Sequence, residues 1–451
     1  MENSIKQQGQ YPDPAYAWYV VVVLFLGYTF AYIDRQCINL LVEPIKADLQ
    51  ISDTQISLLQ GFAFVFFYII FGIPLGRLAD QKNRRAIIAI GMFFWSLMTA
   101  ACGLARSFWY LFAARVGVGI GEACLSPAAY SIITDYFPRD KRNLPISFYA
   151  MGIYFGSGLA AIVVGSVLDL VSQSGNITIP IIGELQPWQL TFIIVGLPGI
   201  LLVALIMLTV KEPVRQELLA QGTGNLSRHM PLQETIQYFR NRWRTYGTIY
   251  VGYGIKAVLT YGYFAWMPTM FIRTYDWSAG EIGRLFGTIV AVCGTIGILG
   301  GGYMAHRMIN RGIYDGYLRV SIIGAAGAML FCVPACLVSD PYLSLALLCP
   351  AMACLGTSVG VAPAAVNFIT PNQLRGQAIA LYIFVVALIG MNAGPTSVAL
   401  ITDYVFQDPQ ALRYSLAIFT LLFGIVACSV LMFGMKPFNT TVEELQAGQA
   451  Y

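Results

Sequence analysis

Long apolar runs alternate with short polar stretches along the whole chain, and each run has about the 20 residues a helix needs to cross a bilayer core. Twelve are predicted: 16–45, 54–78, 86–105, 108–136, 144–170 and 188–210, then 245–272, 281–305, 317–338, 341–368, 376–403 and 411–434. The longest polar stretch, 211–244, lies between the sixth and seventh runs and ends on the basic residues Arg240, Arg242 and Arg244. This pattern predicts an all-α polytopic membrane protein with two six-helix bundles, at 16–210 and 245–434. Tails at 1–15 and 435–451 flank them, and 211–244 is the linker.

The two halves carry one worn pattern. Ser52-Asp53-Thr54-Gln55-Ile56-Ser57-Leu58-Leu59-Gln60-Gly61 opens an apolar run that ends at Gly76-x-x-Ala79. Ser278-Ala279-Gly280-Glu281-Ile282-Gly283-Arg284-Leu285-Phe286-Gly287 opens another, ending at Gly302-x-x-Ala305, 226 residues later. Pro127-Ala128-Ala129 returns as Pro363-Ala364-Ala365, and Gly152-x-x-x-Gly156 as Gly390-x-x-x-Gly394. Matched pairs in one order imply duplication, with the bundles related by a pseudo-twofold axis. Repeated halves in a membrane suggest transport, because the halves can rock about a site between them.

Composition agrees with the bilayer as solvent. Of 451 residues 57% are hydrophobic and 11% charged, against about a quarter charged in soluble domains. A net charge of +4 gives no reason to expect a nucleic-acid partner. The nine cysteines fall in apolar segments without ligand-like spacing, and two histidines cannot build a metal centre. No metal or cofactor is expected. The polar start lacks the basic stretch of a cleaved signal, so the first run is expected to be retained as a span.

Lys and Arg set the orientation. They gather at Lys82, Arg84 and Arg85, at Arg139, Lys141 and Arg142, through the linker, and at Arg307, Arg311 and Arg319. Positive loops stay inside, which predicts cytoplasmic termini and linker.

The basic hairpin Gly76-Arg77-Leu78-Ala79-Asp80-x-x-x-Arg84-Arg85 resembles the signature loop of the major facilitator superfamily, with Asn83 where a glycine is usual. Arg115-x-x-x-Gly119-x-Gly121 is similar to its helix-four motif. In helix five Gly156-Ser157 stands where proton/drug antiporters carry Gly-Pro, which weakens a drug-efflux reading. Tyr32-Ile33-Asp34-Arg35-Gln36, Asp53-x-x-x-Ser57-Leu58-Leu59 and Gly121-Glu122-Ala123 resemble the Spinster branch and its bacterial relatives. That branch moves lysophospholipids and phosphorylated sphingoid bases. The resemblance implies a secondary transporter in which helices one, four, seven and ten line a central cavity.

Four charges lie deep in two spans: Asp34 and Arg35 in the first, Arg115 and Glu122 in the fourth. Each costs about 2.5–3.5 kcal/mol at a helix centre, so the set must pair or face water. They either form two ion pairs that lock helices one and four, or they work. In the second reading Asp34 and Glu122 carry protons while Arg35 and Arg115 alternate between carboxylate and substrate. Burial and a neighbouring cation act oppositely on a carboxylate, so a small rearrangement switches it. Lys256 in helix seven either snorkels to the interface or adds positive charge to the cavity. Asn367 and Asn392 add hydrogen bonds or serve helix packing.

By the same resemblance the hairpin is a gate. Gly76 permits close helix contact, Asp80 reaches the N-terminal amides of helix eleven, and Arg84 reaches Asp135. The expected function is proton-coupled alternating access for an amphipathic or organic anion, lysolipid-like by resemblance. A symporter for small organic acids is the alternative, and a non-transporting receptor or enzyme a distant third. Protons, the substrate and the bilayer are the only partners implied.

Overall fold

A computed structural model describes residues 11–138, 141–180, 183–215, 232–371 and 374–446. The first six spans are Pro14–Leu40, Asp53–Gln60 continued by Phe62–Gln81, Arg84–Cys102, Phe108–Glu122 continued by Leu125–Tyr136, Asn143–Ser172, and Pro187–Gly196 continued by Gly199–Thr209. Spans 7 to 12 are Trp243–Tyr275, Ala279–Ile309, Gly316–Leu337, Pro341–Phe368, Arg375–Leu400 and Leu412–Gln446. A π-helical turn, Ile401–Phe406, extends span 11.

Among the described residues, eleven helices are both long and apolar enough to cross a membrane. Span 7 is the exception, although at 33 residues it is about 50 Å long. Lys256 and six tyrosines dilute its apolar character. It tolerates them because much of its surface is buried against other helices rather than lipid.

Prolines and glycine break the spans where the chemistry requires. Pro44 has no N–H to return to the Leu40 carbonyl, and span 1 stops at Leu40 before a short helix, Val42–Leu49. The single helix predicted over 16–45 is therefore two. Pro127 acts likewise on Ala123, so span 4 stops at Glu122 and resumes at Leu125. Span 2 bends at Gly61, where an added Cβ would lie 2.6 Å from the Met391 carbonyl oxygen of span 11.

Two further features depart from the expected outline. A two-stranded hairpin, β1 (Ile177–Ile179) with β2 (Gly183–Leu185), joins spans 5 and 6. Span 12 continues to Gln446, beyond the predicted end at 434, because Phe438 and Val442 bury themselves in the apolar core of the second bundle. The linker contributes a helix at Leu232–Asn241, and Gly222-Thr223-Gly224 falls outside the described residues.

The bundles meet along two related seams, span 2 on span 11 and span 5 on span 8. At the second, a Cβ on Gly287 would meet the Gly158 carbonyl oxygen at 2.4 Å. Both seams thus bring backbone against backbone, and Gly61 and Gly287 close the two copies of the repeated motif.

Candidate functional site

Consecutive residues on a helix point about 100° apart, and this separates Asp34 from Arg35. Arg35 turns toward the second bundle. With Gln36, Asn39, Gln60, Tyr261 and Phe264 it lines a narrow cleft between the bundles, with room for about one water-sized group. Its guanidinium lies 4.4 Å from the Phe64 ring centroid and 4.7 Å from that of Tyr32, and its Nη2 donates to Glu122 Oε2 at 2.7 Å. Flat aromatic faces and a carboxylate hold a planar cation in one orientation. The helix break after Glu122 brings this carboxylate to the bundle's middle.

Spare bonding capacity collects here. Glu122 Oε1, Arg35 Nε and Gln60 Oε1 are buried without a hydrogen-bond partner. Buried polar atoms are usually satisfied, so the cleft wall can take on a ligand or a proton without breaking what already exists. Toward the end opposite the linker, the far side, Asn39 donates to Phe264 O at 3.2 Å and Gln60 to Ala265 O at 3.4 Å. Beyond them Arg273 of span 7 grips Asp53 at the start of span 2 and also bonds Glu43, while Lys46 bonds Asp53.

Asp34 points instead into the first bundle. It is 1% exposed, lies beside the donors of Trp95 and Thr99 of span 3, and makes no ion pair among the described residues. Arg115 departs from the expected ion pairs. It donates to the backbone carbonyls of Leu59 at 3.3 Å, Asp34 at 3.3 Å and Arg35 at 3.2 Å. It staples spans 1 and 2 near the break at Gly61, so the four charges make one ion pair rather than two.

Lys256 neither snorkels nor enters the cleft. Its Nζ donates to Thr357 Oγ1 at 2.7 Å and Cys354 O at 3.3 Å, inside the second bundle. Gly324 of span 9 makes the room, since a Cβ there would lie 2.5 Å from Nζ. Asn367 is exposed at the linker end of span 10 and does not line the cleft. Asn392 donates to Leu388 O in its own helix at 2.8 Å, with Oδ1 left unpartnered.

In the hairpin, the side chain of Asp80 lies outside the described residues, and Gly76 faces Pro127 across 3.8 Å at Cβ. Arg84 does meet Asp135, at 2.5 Å, and also binds Glu212 Oε1 at 2.7 Å and Pro213 O at 3.0 Å. All these partners belong to the first bundle or the start of the linker. The pair braces spans 3 and 4 against the linker rather than joining the bundles.

Sequence reasoning passed over Gln60, Tyr261 and Arg273. Gln60 stands just before Gly61 in the first copy of the motif, where the second copy has Phe286, and that polar residue in an apolar place was the one signal present. Arg273 looks like a scattered loop charge until the fold sets it on Asp53.

The chain matches the family model described as Major Facilitator Superfamily over residues 24–395. It is 31% identical over 401 residues to an MFS-type efflux pump of Mycolicibacterium smegmatis, covering 88% of this chain and 86% of that one. It is 28% identical to the probable galactarate/D-glucarate transporter GudP of Bacillus subtilis, covering 70% of each. A bacterial homolog of the human lysosomal transporter Spinster, crystallised inward-facing and unoccupied, superposes with a TM-score of 0.80 at 26% identity, over 95% of this chain and 99% of that one. The chain belongs to the Major Facilitator Superfamily, in its Spinster-like branch, and is a multi-pass secondary transporter built on two six-helix bundles.

Proposed function

We propose that the protein couples the movement of an organic anion to protons by alternating access, with Arg35 as the anion's seat and Glu122 as the proton site. The observation that carries this is the single ion pair on the cleft wall, with Glu122 Oε1 and Arg35 Nε still unpartnered. A proton on Glu122 removes its charge and frees Arg35 for the substrate's acidic group. Loss of the proton restores the pair and releases the anion. Asp34 serves as a second proton carrier behind the wall: an ionised carboxylate buried without an ion-pair partner is costly, and a proton cancels that cost.

The basic linker side is the cytoplasmic side by the positive-inside rule. The polar contacts described between the bundles gather at the far side, so this conformation opens toward the cytoplasm of a bacterial inner membrane. The hairpin of Gly76, Asp80, Arg84 and Asp135 is the cytoplasmic gate, with the Arg84–Asp135 brace as its fixed part. Lys256 plays no part in holding the anion.

An amphipathic anion of the lysolipid kind is the cargo suggested by the Spinster likeness. A small hydroxylated acid is favoured by a separate observation: the amides Gln36, Asn39 and Gln60 line the cleft beside Arg35. The relative named as a galactarate/D-glucarate transporter fits that second cargo. Proton flux in proteoliposomes separates them. Lysophospholipid at sub-lytic concentration or a sugar diacid is added, with Glu122→Gln as control. Flux with one class alone assigns the cargo, and absence of flux with both overturns the proton-coupled reading.

A further inference from the structure

The N-termini of spans 2 and 8 are capped twice, once from within and once from the opposite bundle. Within each, a capping box satisfies two of the first amides. Ser52 Oγ accepts from Gln55 N and Gln55 Oε1 from Ser52 N, and Ser278 with Glu281 repeats both bonds. The amide in the second helical position, Thr54 or Gly280, is left over in each.

That leftover donor is taken by a carboxylate from across the seam. Asp403, in the π-helical turn ending span 11, accepts from Thr54 N and Thr54 Oγ1, both at 2.7 Å. Asp169, near the end of span 5, accepts from Gly280 N at 3.0 Å and Ser278 Oγ at 3.2 Å. Gly280 follows Thr54 by 226 residues, the offset of their motif, and Asp403 follows Asp169 by 234, one helical turn short of the 238 that relate Gly152 to Gly390. One contact has therefore been kept in both halves. A carboxylate on a helix N-terminus gains from the charge-assisted bond and from the dipole together.

We infer that Asp169 and Asp403 are a pseudo-symmetric pair of latches holding the far side shut, and thus positioning residues for the transport cycle. Each sits outside a backbone contact on the same seam, Gly158 with Gly287 and Gly61 with Met391. The glycine contacts let the bundles pivot, and the carboxylates set how readily the far side parts. The significance for a cycle rests on the transport reading above, but the latches themselves do not. Gly280 shows how closely the second latch is fitted: a Cβ there would lie 1.9 Å from Asp169 Oδ2.

Nitroxide labels at the exposed positions Gln173 and Gln410, one on each bundle, report far-side opening by their distance distribution, with no substrate present. Asp169→Ala with Asp403→Ala is expected to raise the population of longer distances at least about threefold, the effect of about 0.65 kcal/mol in a two-state equilibrium. Asn at both sites keeps an acceptor and is expected to restore part of the closed population. Gly280→Ala displaces the Asp169 carboxylate without removing it and is expected to shift the distances as Asp169→Ala does. This variant also serves if the double alanine protein fails to fold. Unchanged distances in folded variants overturn the latch. Shifted distances in a protein that shows no substrate-linked proton flux sustain the latch and sink the cargo reading instead.

Discussion

Arg273 donates to both carboxylate oxygens of Asp53, at 2.7 and 2.8 Å, and so ties span 7 of one bundle to the start of span 2 in the other. Asp53 is fully buried, and Arg273 also binds Glu43 at 2.8 Å. Stranding one charge of a buried pair costs about 3–5 kcal/mol, and because Glu43 keeps part of Arg273's pairing the loss here should fall below that range. Asp53→Asn should therefore lower the thermal midpoint in detergent and open the far side. Adding Arg273→Gln should recover part of the loss, and simple additivity in this double-mutant cycle would show that the pair carries no coupling.

At Glu122, glutamine keeps an acceptor for Arg35 but cannot lose or gain the proton. Glu122→Gln should leave the protein folded while proton-linked uptake drops about 5- to 150-fold, the usual span of a coupling energy, and loses its pH dependence. Retained pH-dependent uptake would transfer the proton role to Asp34.

The planar stack of Arg35 over Phe64 and Tyr32 is specific to guanidinium. Arg35→Lys keeps the charge but not the fork or the stack, so KM for the anion should rise by about tenfold or more. Initial-rate uptake at several substrate concentrations checks this.

Lys256 leads to the opposite expectation. Its ammonium is 1% exposed, and its bonds are to a hydroxyl and a carbonyl. Thr357 Oγ1 keeps its own bond to Cys354 O at 2.8 Å without it. Lys256→Met should therefore preserve uptake and change stability between neutral and a gain of about 1–4 kcal/mol. Abolished uptake in a stable Lys256→Met protein would return this residue to the transport site.

Two glycines separate close approach from idle flexibility. Gly61→Ala drives a methyl against the Met391 carbonyl and should cost about 1–3 kcal/mol. Gly300 has nothing within 4 Å of a built Cβ, and Gly300→Ala should stabilise its helix by about 0.5–1 kcal/mol. Thermal melts of the two variants should move in opposite directions.

Twelve spans and their duplication were legible along the chain, because each depends on local hydrophobic length or repeated spacing, whereas the approach of Arg84 to Asp135 was implied by the family resemblance. The presence of buried charge in spans 1, 4 and 7 was legible for the same reason: apolar runs make a polar residue conspicuous. Its destination was not. Whether Asp34 or Arg35 meets the cleft depends on the rotation of span 1, which its packing on spans 5 and 7 decides. Arg115 carries the same charge as Arg35, yet backbone carbonyls of spans 1 and 2 claim it. Asp53, Asp169, Arg273 and Asp403 read as ordinary charges at helix ends, and only the tertiary structure sets each against a partner more than a hundred residues away. Sequence determined that two similar bundles would fill a membrane; the contact between them, where the charges and helix ends of one half complete those of the other, exists only once both have folded.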